Sequence, residues 1–246
     1  MALQEEMEQS GVWLFRWRSY LPLLMLGVTL LAMRDYTFPG NNSYWHYGYE
    51  LFCLSISYFG LGIRILTIGH TPRRTSGRNT RKQVAETLNT TGLYSITRNP
   101  LYLGNFFMGL GVVLFVHVWW LTLIYTLAFW LYYERIILAE EAFLQRQFGK
   151  AYQDWAQHTP PFIPNLRHYQ APDLPFSPRN VLRREYNGFF MVILVFFLLE
   201  LTGDLILLHS IKGNTEWFIL LLGSFVIWCT LRTLKKHTTI LNVAGR

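Results

Sequence analysis

The chain has 246 residues, of which 51% are hydrophobic and 15% charged, and a formal net charge of +7. A soluble domain carries closer to about a quarter charged residues, and here the apolar residues fall in blocks, so a membrane-embedded chain is expected rather than a globular one. In such a chain the basic excess reads as topogenic and lipid-facing, and no nucleic-acid partner is expected.

Residues 1–10 carry Glu5, Glu6 and Glu8 where a signal peptide would have a basic n-region, so none is expected. The terminal Ala-Gly-Arg shows no prenylation box. Apolar runs follow at about 17–33 and 47–68. The run at 101–133 is too long for one span and reads as a helical hairpin turning near His117. Each arm is then about 15 residues, or roughly 22 Å, short of the roughly 30 Å hydrocarbon core. Two more runs lie near 186–208 and 217–234. The expected fold is all-α and polytopic, with about six membrane-embedded helices including the hairpin.

All Lys and Arg except Arg34, Lys212 and Arg64 fall on one side of this scheme. The asymmetry places both termini on the cytoplasmic side, with Arg64 snorkelling from the second span. The segments before and after the hairpin then share that side. The first starts with the basic loop 71–82, suited to anionic lipid or to ordinary topogenic charge. The second starts as a helix from Glu134 to Phe148, with Gly149 as its C-cap, and runs into an irregular Pro-rich stretch.

Two constellations carry chemistry. Asn99-Pro100 reads as an N-cap and first helical residue, which sets a helix N-terminus beside Arg98 at the membrane surface. That arrangement suits an anion; a plain cap with an interfacial arginine explains the same residues. Glu140 and Glu141 are about 100° apart around a helix, so they cannot both face one ligand atom. Taken alone they also fit a solvated helix face. Gly60, Gly62, Gly109 and Gly111 read as packing glycines. The histidines show no zinc spacing, so no metal site is expected, and His46, His117 and His209 fall on the far side. Asn41-Asn42-Ser43 matches a glycosylation acceptor pattern.

At these residues the chain resembles the isoprenylcysteine carboxyl methyltransferase and phospholipid methyltransferase superfamily. Its Gly-x-Tyr-x-x-x-Arg-His-Pro-x-Tyr-x-Gly segment is matched by Gly92-Leu-Tyr-Ser-Ile-Thr-Arg-Asn-Pro-Leu-Tyr-Leu-Gly104 at every fixed position but Asn99. A hairpin, Glu140-Glu141 and Phe148-Gly-Lys-Ala-Tyr152 follow in the family's order. The resemblance implies S-adenosylmethionine as methyl donor and a membrane lipid substrate entering sideways from the phospholipid bilayer. It implies a cofactor pocket lined by Leu88, Asn89, Tyr94, Asn99, Pro100, Leu101, Tyr102 and Glu140, with Glu141 in support. Arg98, Glu140 and Glu141 are the expected catalytic residues, and Arg98 and Arg135 the expected substrate-side cations. The expected organisation is membrane helices over 1–69, a methyltransferase core over 70–165, a linker over 166–185 and two membrane helices over 186–246, the last pair being one that the family pattern does not require. Asn99 cannot shuttle a proton as His can, which leans toward an acceptor that is already anionic, such as a lipid phosphate. Prenylcysteine carboxyl methylation, phosphatidylethanolamine N-methylation and a non-catalytic protein of the same fold remain the alternatives.

Overall fold

The computed structural model describes residues 3–18, 20–36, 43–72, 75, 84–208 and 215–246. The chain forms α1 (Leu3–Trp17), α2 (Leu21–Ala32), α3 (Ser43–His70), α4 (Pro100–Phe115), α5 (Trp119–Phe148), α6 (Lys150–His158), α7 (Pro178–Leu208) and α8 (Thr215–His237). Among the described residues there is no strand, only an isolated antiparallel bridge between Gly92 and Gln170. The all-α polytopic reading therefore holds.

Four helices are long and apolar enough to cross a membrane: Trp45–His70, Trp119–Phe148, Pro178–Ile206 and Thr215–His237. The other two expected membrane helices are present but short. α4 has 16 residues. The run at 17–33 is split: Trp17 ends α1, and α2 keeps only 12 residues, or about 18 Å. Many large apolar side chains face outward, among them Leu51, Phe52 and Phe59 on α3, Leu127, Trp130 and Leu131 on α5, and Leu222, Phe225 and Val226 on α8. Such a surface is stable only against lipid.

The interior is built on α3 packed along α4. Gly60 faces the backbone of Gly104 and Met108, and Gly111 faces the Ser57 hydroxyl and the backbone of Cys53 and Ser57, so the two helix backbones approach closely. Gly109 is closed off by the Tyr125 ring, whereas Gly62 faces open space. The glycines thus serve packing at three of the four expected positions. Phe115, Val116, Leu121 and Phe196 fill the centre.

His117, in the left-handed region at φ 58°, makes the hairpin turn between α4 and α5. α5 then runs unbroken past Glu134 to Phe148, where Gly149 at φ 54° donates to the carbonyl of Gln145. The glutamate helix is thus the outer half of a hairpin arm rather than a separate element. α1 lies along this half. Arg146 pairs with Glu8 at 2.7 Å, and the Tyr132 hydroxyl donates to the Leu14 carbonyl. The described C-terminus reaches the same end, where Arg246 donates to the carbonyl of Gly69.

The Pro-rich stretch after α6 does more than connect. Arg98 N–H donates to Pro160 O, Asn165 N–H to Ile96 O, and Gly92 N–H to Gln170 O. It forms a strap under residues 92–99, and helix resumes already at Pro178. Gly92 sits at φ 64° with Pro172 against it, a conformation that favours glycine.

Gly60→Ala is expected to lose about 1–3 kcal/mol through overpacking of the crossing. Gly62→Ala should be neutral or gain up to about 1 kcal/mol. Thermal unfolding of both variants in detergent reads the difference.

Candidate functional site: a charged cavity at one end of the bundle

The end of the bundle formed by the start of α4 and the outer half of α5 holds a cavity of about 1030 Å³. It brings together Tyr94, Arg98, Asn99, Leu101, Tyr102, Glu140 and Glu141, all expected from sequence. Pro100 is fully buried at the first turn of α4. Leu88 and Asn89 line a smaller neighbouring pocket of about 170 Å³, which shares Tyr94 with the large one. Arg135 is exposed on α5 and does not line the cavity. Most of the basic loop 71–82 lies outside the described residues, as do Asn41, Asn42, His209 and Lys212.

The two adjacent glutamates take different partners, as their angular separation requires. Glu140 accepts from the Tyr102 hydroxyl at 2.9 Å and lies 3.8 Å from Arg18. Glu141 pairs with Arg98 at 3.0 Å, and Arg98 also donates to the Tyr152 hydroxyl at 3.3 Å. Arg98 Nε and Glu141 Oε1 are buried without a hydrogen-bond partner, so the pair keeps polar capacity in hand. Burial and then the charge of Glu141 push the Tyr152 hydroxyl up to about 12. Burial likewise raises Tyr94. Both phenols hold their protons throughout the neutral range and act as donors, not bases.

Asn99 occupies the cap position of α4, but its side chain does not cap the helix. Its amide nitrogen instead donates to the carbonyl of Pro161, turned away by the strap. The Asn99 carbonyl takes the amides of Tyr102 and Leu103. The expected anion cradle of open helix amides is thereby reduced, and fixed positive charge falls to side chains.

Sequence reasoning missed Arg64. It does not snorkel outward; it makes two 2.8 Å bonds to Glu185 on α7 and one of 2.7 Å to Asn105 on α4. Carboxylate and amide inside the bundle hold the guanidinium better than the interface could. An Arg within an apolar run was the available signal. Arg18, Arg183 and Arg184 also reach the cavity wall, and only their position in the fold reveals it.

The fold and cavity define a membrane-embedded helical protein with a charged chamber at one end that continues into an apolar slot. Residues 51–151 match the family model for phospholipid methyltransferase. The protein-S-isoprenylcysteine O-methyltransferase of Schizosaccharomyces pombe (strain 972) is 34% identical over 75 residues, covering 30% of this chain and 32% of that protein. The nickel-cobalt-cadmium resistance protein NccN of Alcaligenes xylosoxydans xylosoxydans is 34% identical over 113 residues, 45% of this chain and 50% of that protein. The cobalt-zinc-cadmium resistance protein CzcN of Cupriavidus metallidurans gives the same identity over the same coverage. The matches span half or less of these relatives. No solved structure matches. Over residues 51–151 the chain is thus similar to the isoprenylcysteine carboxyl methyltransferase and phospholipid methyltransferase superfamily.

Arg98→Met is expected to destabilise the protein more than Arg98→Met combined with Glu141→Gln, because the single change strands a half-buried carboxylate. A double-mutant cycle read by unfolding in detergent should give a coupling of about 1–3 kcal/mol.

Proposed function

We propose that this chain is an S-adenosylmethionine-dependent membrane methyltransferase that O-methylates the anionic head of a lipid, with site and termini on the cytoplasmic side. The observation that carries the reading is the shape of the cavity. One continuous space joins Arg98, Glu140 and Glu141 to an apolar slot lined by Val113, Tyr125, Val195 and Leu199. A polar donor and a lipid tail can occupy that space together, with the lipid reacting at its head.

The residues present fit the cofactor. Arg98 Nε and Glu141 Oε1 are buried polar atoms open to a further partner, suited to the carboxylate and ammonium of an amino acid. Tyr94 and Tyr102 offer aromatic faces to a sulfonium or an adenine. S-adenosylmethionine would supply an electrophilic methyl group. The chain's own contribution is positioning and exclusion of water. Glu140, held by Tyr102, and Glu141, held by Arg98, fix the donor side. Arg18, Arg183, Arg184 and Lys235 on the cavity wall favour an anionic acceptor.

The acceptor class follows from protons. An ionised oxygen needs no base, whereas an ammonium does. Asn99 cannot be one, Tyr94 and Tyr152 retain their protons, and Glu140 and Glu141 are engaged by Tyr102 and Arg98 on the donor side. A lipid phosphate and a prenylcysteine carboxylate both meet this demand. The fission-yeast relative favours the second as the alternative reading.

The test is methyl transfer from labelled S-adenosylmethionine by the purified chain, offered total lipid extract and, separately, a prenylcysteine analogue. Label in an acidic lipid fraction is the expected result, with Glu140→Gln or Arg98→Ala lowering the rate by about 100-fold or more. Label only in the analogue moves the acceptor to the prenylcysteine. No label in either, with no cofactor binding, contradicts the enzyme reading.

A further inference from the structure

The opposite end of the bundle holds a second polar cluster, which the methyltransferase reading does not use. His46 and Glu50 lie one turn apart at the start of α3, and Glu200 comes in from α7. One ligand atom from each lies within 4.8 Å of the others. His46 Nε2 is 2.9 Å from Glu50 Oε1 and 3.7 Å from Glu200 Oε1. Glu50 is 6% exposed and Glu200 4%, with Asp204 buried a turn further along α7. Trp217 Nε1 donates to Glu50 Oε2 at 3.4 Å and fixes that carboxylate.

The simplest account is a charged imidazole bridging two carboxylates. One observation speaks against it as sufficient. Glu50 Oε1 is fully buried and receives no hydrogen bond, although His46 Nε2 is so close. The ring N–H is therefore not aimed at that oxygen. Nitrogen and oxygen instead approach as neighbouring ligands of a common centre do. Ligand atoms about 2.1 Å from one ion sit about 3.0–3.4 Å apart, and the two separations bracket that range.

We propose that His46, Glu50 and Glu200 form a binding site for a divalent transition-metal ion of the Zn²⁺ or Co²⁺ class. Imidazole with carboxylates suits that class better than Ca²⁺ or Mg²⁺, which prefer oxygen alone. Three protein ligands leave a position for water. His46, with 14% of its side chain exposed, provides the approach from the surface. All three ligands lie outside the family-matched residues 51–151, so the site stands independently of the methyltransferase reading. Sequence spacing showed no zinc pattern because the set joins one i,i+4 pair to a residue on a distant helix.

The test uses the full chain without an affinity tag, stripped with chelator in detergent and titrated with Co²⁺ while visible absorption is followed. Elemental analysis after reloading with Zn²⁺ gives the stoichiometry. A single ion per chain, raising the unfolding temperature, is expected. Glu50→Gln and His46→Asn should each weaken binding by at least about tenfold while S-adenosylmethionine binding at the other end is unchanged. Wild-type protein that takes up no metal, or variants that bind as the wild type does, would overturn the proposal. If the variants do not fold, X-ray absorption on cobalt-loaded wild type decides: an imidazole in the ligand shell supports the site, and a shell without one rejects it.

Discussion

A charge held at the end of an apolar bundle must bring its partner with it, and the arrangement of this chain follows from that constraint. In low dielectric an isolated guanidinium or carboxylate is too costly to keep. Arg64 is therefore met by Glu185 and Asn105, Arg98 by Glu141 and Tyr152, and Glu140 by Tyr102 and Arg18. Each pairing ties one helix to another: α3 to α7 and α4, the turn before α4 to α5, and α5 back to α4 and the end of α1. The cavity stays open between these ties because the partners meet across it rather than collapsing into it.

The strap gives the same arrangement its backbone. Residues 92–99 have little regular structure, yet their amides and carbonyls still require bonding partners. Pro160, Asn165 and Gln170 supply them. Proline suits this duty because it offers a carbonyl and demands no donor partner of its own. The next carbonyl of the strap, that of Pro161, takes the side chain of Asn99 away from α4, which explains why a strong capping residue does not cap here.

What could be read from sequence was what repeats locally. The hairpin turn at His117, the helix through Glu140 to Phe148 and its stop at Gly149 all follow from apolar length and local propensity. Of the expected site residues, Tyr94, Arg98, Asn99, Leu101, Tyr102, Glu140 and Glu141 do converge on one cavity. Arg135 does not, because counting charges on the expected side said nothing of its angular position on α5. Residues whose role depends on a distant helix were invisible: Arg64 facing Glu185, Arg18 reaching Glu140, and His46 meeting Glu200. In each case the decisive partner is remote in sequence, and no periodicity encodes such a meeting.

In the proposed enzyme the cofactor would settle between the Arg98–Glu141 and Tyr102–Glu140 pairs. Hydrogen exchange of the full chain in detergent, with and without S-adenosylmethionine, tests this most directly. Protection confined to the segment around residues 89–102, the outer half of α5 and the strap is the predicted result. Protection elsewhere, or none at saturating cofactor, would contradict it.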